Sequence, residues 1–199
     1  MSQEKLLEVF TDFVCPWCYL VTGRVERLKR EKSLKVQWRY FPLHPDTPEE
    51  GLPLEQLFAG TGMDIKASNQ KMKALTSVEG LPFDPMRSMT FNSRGAQELA
   101  KWSDRNQFSE SLHPQLYQAY FVRGENLAET DVLINTVDLS GLNTDDARLS
   151  LQSRQYKQAV DEDWNYARSL GVTGIPTFVY QGYGLVGAQP YEELDRLTS

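Results

Sequence analysis

The chain has 199 residues, and its 21 basic and 27 acidic side chains give a formal charge of −6. Hydrophobic residues make up 40% and charged residues 24%, which is ordinary globular usage and excludes wholesale disorder. The acidic balance argues against general binding to nucleic acids or anionic membranes, because those surfaces attract Lys and Arg. No apolar run reaches the roughly 18 residues that span a bilayer, and no signal-peptide core follows Met1. We therefore expect a cytoplasmic protein without nucleic-acid or membrane partners.

The first forty residues predict a strand, a helix and a second strand. Leu6–Val14 is a short apolar run, which is typical of a buried strand. Tyr19–Arg30 has apolar residues near a 3.6-residue period and basic residues in its last turn, as helices do. Leu34–Phe41 alternates apolar and basic residues at strand period. The intervening helix is long enough for a crossover between parallel strands.

The middle of the chain predicts helices. Four prolines between positions 42 and 53 mark a turn-rich stretch before them. Pro114 is expected at the first position of its helix, and Thr130 is expected to cap the next one. The predicted helices are Leu54–Phe58, Ile65–Leu75, Asn92–Trp102, Pro114–Arg123, Asp131–Leu139 and Gln155–Leu170.

The end of the chain returns to strands. Thr177–Tyr180 is a β-branched and aromatic run, and a second short strand and a helix from about Pro190 follow it. Neither end could bury both faces of a sheet alone, so the two ends should complete one sheet. The sequence thus predicts an α/β domain formed by residues 1–50 and 155–199. Residues 51–154 are predicted to form a large all-helical insertion in it.

The two cysteines, Cys15 and Cys18, lie in the tetrapeptide Cys-Pro-Trp-Cys. A loop this small hardly restricts the unfolded chain, so the spacing favours redox chemistry or half of a metal site. Cys15 falls where the first strand meets a helix, and unpaired N–H groups at a helix start stabilise a thiolate. Cys18 lies one turn further and should be less accessible. We expect Cys15 to attack a disulfide and Cys18 to resolve the mixed disulfide.

Three further residues are candidates for binding a substrate. Pro16 suits the first helical position, because the N–H that it lacks would have no partner there. Trp17 should be exposed at the helix tip, although a core position is the commoner place for a tryptophan. Ile175 and Pro176 open the Thr177–Tyr180 strand. A cis proline beside the dithiol would present the Ile175 backbone to an extended substrate, and an ordinary trans turn is the alternative.

These features together resemble a known family. The combination of Asp-Phe-Val-Cys-Pro-Trp-Cys-Tyr, a long helical insertion and Gly-Ile-Pro-Thr-Phe-Val is similar to DsbA-like proteins of the thioredoxin fold. It is closest to the FrnE-like subfamily, and the similarity covers nearly the whole chain. Further agreements are Asn92-Ser93, Ala119-Tyr120-Phe121, Gly141-Leu142 and Gly187-Ala188-Gln189-Pro190.

The resemblance implies a thioredoxin-like α/β fold with Cys15 as nucleophile, Cys18 as resolving cysteine and Pro176 as a cis proline. Gln97 departs from the histidine that the subfamily often has, so a polar role of that side chain is not carried over. Pro-Trp between the cysteines differs from the dipeptides of thioredoxins and of periplasmic DsbA. A reduction potential is therefore not carried over either.

Three other features of the sequence suggest alternatives to disulfide exchange. A zinc site would need both His44 and His113, which lie far apart in sequence and read as exposed loop residues. The run Gly182–Gly187 matches G-x-G-x-x-G, but too little chain follows it for a dinucleotide site. Asp12 reads as a turn residue, with a proton relay as the alternative. A redox-gated chaperone with clients on the insertion is another alternative.

The sequence therefore predicts a cytoplasmic thiol-disulfide oxidoreductase of the DsbA and FrnE type. Its expected partners are a disulfide-containing protein or small-thiol substrate and a cellular thiol reductant. No metal or organic cofactor is expected, and glutathione is a candidate co-substrate. The main alternative is a glutathione-dependent isomerase or transferase for small aromatic or polyketide-like substrates. Related 2-hydroxychromene-2-carboxylate isomerases and kappa-class glutathione transferases carry serine at the position of Cys15.

Overall fold

The computed structural model describes residues 5–199, which form six strands and ten helices. The strands are β1 (Leu6–Thr11), β2 (Lys35–Tyr40), β3 (Leu52–Pro53), β4 (Met89–Thr90), β5 (Thr177–Tyr180) and β6 (Tyr183–Val186). The helices are α1 (Pro16–Leu20), α2 (Thr22–Lys32), α3 (Leu54–Leu57), α4 (Ile65–Val78), α5 (Arg94–Arg105), α6 (Ser109–Phe121), α7 (Thr130–Leu139), α8 (Thr144–Gln152), α9 (Lys157–Ser169) and α10 (Tyr191–Leu197). Among residues 5–199, no helix has both the length and the apolar character needed to cross a membrane.

The chain forms two units, one from residues 5–43 with Asp161–Ser199 and the other from His44–Val160. The first unit contains the mixed four-stranded sheet, and the second contains α3 to α8 and the short β3–β4 pair. These limits, at 43/44 and 160/161, differ by seven and six residues from the boundaries expected at 50/51 and 154/155. The fold is therefore α/β with a helical insertion.

The register of the sheet brings two distant segments to one edge. The strand order is β2-β1-β5-β6, with β1 parallel to β2 and antiparallel to β5. Phe10 pairs with Thr177, so the carboxyl end of β1 lies beside the beginning of β5. The residues just after β1 and just before β5 must therefore lie close together, although more than 150 positions separate them in the sequence.

A hydrophobic core holds α2 and α10 on this sheet. Leu7 and Val9 are 0% and 1% exposed and alternate with the half-buried Leu6 and Glu8, while the last two residues of β1, Phe10 and Thr11, are buried as well. Val25 and Leu28 lie three residues apart on α2 and are fully buried. The buried cluster consists of Leu7, Val9, Val21, Val25, Leu28, Leu34, Phe178, Tyr180 and Leu194.

Charged side chains attach α9 to the sheet. The Arg39 guanidinium donates to Glu8 at 2.8 Å and to Asp163 at 3.2 Å. The second Asp163 oxygen accepts the main-chain N–H of Tyr40 at 2.9 Å, and the Tyr166 hydroxyl donates to Glu8 at 3.1 Å. Because buried carboxylates are costly without partners, these bonds fix the helix to both β1 and β2.

Several predicted boundaries in the helical unit are wrong. α6 begins at Ser109 and contains Pro114 in its interior, so this proline is not the first residue of a helix. Thr130 is the first residue of α7, and its cap position is occupied by Glu129. Helix α8 was not among the predicted helices. It begins at Thr144, and Asn143 caps it, because the Asn143 side chain accepts the N–H of Asp145 at 2.9 Å.

The predicted continuous helix after the dithiol is in fact two helices. α1 ends at Leu20 and α2 begins at Thr22, with Val21 between them in a helical conformation.

The motif Gly182–Gly187 forms the turn and strand that follow β5, and α10 begins only at Tyr191. This segment is a β-hairpin and not the strand-to-helix turn that a dinucleotide requires.

The core of the sheet predicts a large difference between two leucines. Leu7→Ala should lower the free energy of unfolding by about 2–5 kcal/mol, because it empties a fully buried site between the sheet and its helices. The matched control Leu149→Ala removes a side chain that is 69% exposed and should change it by less than about 0.5 kcal/mol. Urea denaturation measures both, and equal effects would contradict this description of the core.

Candidate active site

Cys15 caps the helix that follows β1. Its backbone is extended (φ −90°, ψ 112°), and its sulfur accepts the main-chain N–H of Cys18 at 3.4 Å. The Cys15 carbonyl accepts the N–H of Tyr19 at 3.1 Å, which starts the helical hydrogen bonding. Pro16 occupies the first helical position, where its missing N–H costs nothing. The sulfur thus stands where N–H groups and peptide dipoles favour a negative charge.

Cys18 lies one turn further along, and it is also buried. Burial is the main cause that raises the pKa of the Cys18 thiol well above its ordinary value, and the hydrogen bond and charge of Cys15 raise it further. The Thr11 side chain and the Asp12 main chain hydrogen-bond the same sulfur and lower the pKa of Cys18. Both cysteines are free thiols. Cys18 is therefore a protonated thiol at neutral pH while Cys15 is reduced.

The turn between β1 and α1 is held by Asp12. This residue is fully buried, and its carboxylate accepts the N–H of Val14 at 3.3 Å and that of Leu43 at 3.2 Å. Its carbonyl accepts the N–H of Cys15 at 3.1 Å. Asp12 is thus a turn residue, as predicted, and its main chain also hydrogen-bonds the Cys18 sulfur, which makes it a structural part of the site. The sequence signal was an acidic residue three positions before the nucleophile candidate.

The loop before β5 lies against the dithiol. The Ile175–Pro176 peptide bond is cis, and the Cys15 thiol donates to the Ile175 carbonyl oxygen at 3.7 Å. The Pro176 carbonyl accepts the N–H of Gly187 at 2.7 Å, and the Thr177 hydroxyl donates to the Gly174 carbonyl at 2.7 Å. The loop is therefore held on both sides, and its Ile175 backbone faces the Cys15 sulfur.

The two cysteines do not differ in exposure as expected. Cys15 and Cys18 are each 2% exposed, so the prediction that Cys18 is less accessible than Cys15 is wrong. Every residue from Thr11 to Cys15 is buried. Trp17 is 41% exposed, and Pro16 is half-buried. Trp17 therefore presents an indole to solvent between the two cysteines of the sequence.

The two histidines do not join the cysteines in a metal site. His113 lies in α6, is 6% exposed and has its Nε2 3.1 Å from a carboxylate oxygen of Asp104, so it is not an exposed loop residue. His44 is half-buried, and burial lowers its pKa. Within residues 5–199, no three His, Cys, Asp or Glu side chains are grouped as metal ligands would be.

The arrangement defines what the site can do. One sulfur accepts an N–H and faces a backbone carbonyl, and a second sulfur is buried one turn behind it. Two thiols on one helical turn can exchange two electrons with a disulfide by passing through a mixed disulfide. A dithiol at a helix start on this sheet, with a helical unit inserted between β2 and β5, is the arrangement that the resemblance to DsbA-like proteins implies.

The model of the DSBA-like thioredoxin domain family matches residues 6–198, and the chain belongs to that family. This agrees with the resemblance found in the sequence. The family contains oxidoreductases and isomerases, so membership alone leaves the reaction open.

Solved structures agree with this fold. The crystal structure of a probable DsbA oxidoreductase, SCO1869, from Streptomyces coelicolor is 24% identical, with a TM-score of 0.86 over 97% of this chain and 88% of that one. A 2-hydroxychromene-2-carboxylate isomerase is 15% identical, with a TM-score of 0.71 over 96% and 93%. The cytosolic disulfide reductase DsbM from Pseudomonas aeruginosa, solved with GSH, is 15% identical, with a TM-score of 0.67 over 97% and 95%. At these identities, the likeness establishes the fold.

The raised pKa of Cys18 has a measurable consequence. In Cys15→Ser, the remaining thiol should react slowly with iodoacetamide at pH 7, because burial, the largest cause of the shift, keeps it protonated. Its rate should still be rising at pH 9, since a raised pKa moves thiolate formation to higher pH. Mass spectrometry at successive pH values follows the reaction. A rate that levels off below about pH 8.5, the ordinary thiol range, would contradict the assignment.

Proposed function

We propose that this protein is a thiol-disulfide oxidoreductase that exchanges disulfides through Cys15 and Cys18. The observation that carries the proposal is the setting of the Cys15 sulfur. It accepts the Cys18 N–H at 3.4 Å and lies 3.7 Å from the Ile175 carbonyl. The first contact directs an N–H dipole at the sulfur, and the second places that sulfur beside the Ile175 backbone.

The reaction runs in two steps. The Cys15 thiolate attacks one sulfur of the substrate disulfide, a new bond joins that sulfur to Cys15, and the other substrate sulfur leaves as a thiolate and takes a proton from water. Cys18 then gives its proton to water and attacks the Cys15 sulfur. The Cys15–Cys18 bond forms, the bond to the substrate breaks, and the substrate leaves reduced by two electrons. A cellular thiol reductant restores the dithiol.

Binding would use the groups around the sulfur. The Ile175 and Pro176 backbone can align an extended segment that carries the disulfide, in the manner of strand addition. Trp17 offers an exposed indole, and Pro16 shapes the same end of α1. Because Cys15 is 2% exposed, attack requires a local displacement that uncovers its sulfur.

Cofactors and location follow from the same chemistry. The two sulfurs carry the electrons, so the exchange needs neither a metal nor an organic cofactor. Glutathione is a candidate co-substrate, and the similar fold of DsbM, solved with GSH, supports this choice. We propose a reducing compartment, the cytoplasm, where a glutathione or thioredoxin pool keeps the dithiol reduced. Net reduction or isomerisation of disulfides is the expected direction there.

A glutathione-dependent isomerase is the alternative function. The likeness to a 2-hydroxychromene-2-carboxylate isomerase, with a TM-score of 0.71, favours it at the level of the fold. The second thiol argues against it, because an isomerisation in one step has no use for Cys18. The two functions therefore differ in whether Cys18 is required.

Reduction of insulin tests the exchange directly. Wild-type protein with a thiol reductant should precipitate insulin, Cys15→Ser should lose nearly all of this activity, and Cys18→Ser should accumulate a mixed disulfide because it lacks the resolving thiol. Turbidity and the mass of the intact protein give the two readouts. Ser140→Ala, on the C-terminal end of α7, is the control and should behave as wild type. Wild-type activity in both cysteine variants would overturn the proposal.

The exposed indole predicts a substrate-dependent effect. Trp17→Ala should lower kcat/KM for a peptide disulfide by about tenfold or more, because exposed aromatic anchors often contribute strongly to binding. The rate with the small reagent 5,5′-dithiobis(2-nitrobenzoate) should change by less than about twofold, because that reagent has no peptide segment flanking its disulfide. Trp17→Phe keeps a ring and should recover most of the loss. Equal losses with both substrates would exclude a role of Trp17 in binding peptides.

A further inference from the structure

Thr11 hydrogen-bonds the resolving cysteine through its side chain. It is the last residue of β1 and is 2% exposed, and its carbonyl accepts the N–H of Phe41 at 2.9 Å. Its main chain is therefore fixed by the sheet, while its side chain hydrogen-bonds the Cys18 sulfur. Asp12, which is fully buried, brings its main chain to the same sulfur. The Cys18 sulfur thus contacts two polar groups at the end of β1.

This contact matters most at the second step of the exchange. While Cys15 is reduced, its hydrogen bond and charge oppose ionisation of Cys18. Once Cys15 is bonded to the substrate it carries no charge, and that opposition ends. Burial still disfavours the Cys18 thiolate, whereas the Thr11 hydroxyl and the Asp12 main chain favour it. Of these two favourable contacts, only the hydroxyl belongs to a side chain, so substitution can remove it.

We propose that Thr11 is a positioning residue for the resolving step: its hydroxyl donates to the Cys18 sulfur and holds it as the thiolate that attacks Cys15. This inference rests on the proposed function and specifies how the buried thiol becomes a nucleophile. Cys18 first releases its proton to water. Its sulfur then bonds to Cys15, the bond from Cys15 to the substrate sulfur breaks, and the substrate thiolate takes a proton from water.

The two steps can be separated with 5,5′-dithiobis(2-nitrobenzoate) as the disulfide. Attack by Cys15 releases one thionitrobenzoate, and resolution by Cys18 releases a second, so stopped-flow absorbance should show two phases. In Thr11→Val, which keeps the branched shape, the first phase should stay within about twofold of wild type. The second should slow about tenfold or more at pH 7, the loss expected when one hydrogen bond to a charged group is removed. Its pH profile should also move to higher pH.

Two controls distinguish chemistry from structure. Thr11→Ser restores the hydroxyl and should restore the second phase, and Thr136→Val removes a buried hydroxyl from α7, whose bond to the Val132 carbonyl is 2.9 Å, and should leave both phases unchanged. A second phase in Thr11→Val at the wild-type rate and pH profile would overturn the inference. Equal slowing in Thr11→Ser would also overturn it, because it would indicate packing. Release of a single thionitrobenzoate by wild-type protein would instead contradict the proposed function.

Discussion

The hydrogen bond from the Cys18 N–H to the Cys15 sulfur is the contact on which the rest of the site depends. It is 3.4 Å long and forms because Cys15 is the capping residue of α1. A capping residue normally offers an oxygen to the unpaired N–H groups of a first turn, and here a sulfur takes that place. The same contact fixes Cys18 one turn away, so a single local structure determines both the setting of the nucleophile and the position of the resolving thiol.

The sheet supplies the other half of the site. Antiparallel pairing of β1 with β5, with Phe10 opposite Thr177, brings the Ile175–Pro176 segment to the end of β1. Bonds to Gly187 and Gly174 hold the loop there. A site assembled from both ends of the chain therefore depends on strand register, and the core beneath α2 and α10 maintains that register.

The two cysteines are equally buried but chemically distinct. Each is 2% exposed, and burial, followed by the neighbouring Cys15, raises the pKa of Cys18 well above its ordinary value. Exposure to solvent does not separate the two thiols, but their hydrogen bonds differ, because the Cys15 sulfur accepts the Cys18 N–H at 3.4 Å. Thr11 and Asp12 counteract the burial of Cys18, which allows a thiol in the interior to act in a second step.

Local patterns in the sequence predicted the elements that local physics controls. The Thr177–Tyr180 strand has the predicted bounds, because β-branched and aromatic residues after a proline leave few alternatives. The predicted helix start at His113 and Pro114 is wrong, because α6 already begins at Ser109. Packing of Leu112 and Leu116 extends α6 back to Ser109, and this places the proline in its interior. The role of Thr11 depends on a turn whose path no spacing rule specifies, so only the folded chain revealed it.

Equilibration with glutathione redox buffers tests the central claim most directly, because it asks whether the two sulfurs behave as one unit. The wild-type protein is held at a series of ratios of reduced to oxidised glutathione, quenched with an alkylating agent and analysed as peptides by mass spectrometry. The account predicts one two-electron transition between a species with two alkylated thiols and a species with a disulfide between Cys15 and Cys18. Persistence of two independent thiols, or glutathione attached to Cys15 without internal bond formation, would contradict it.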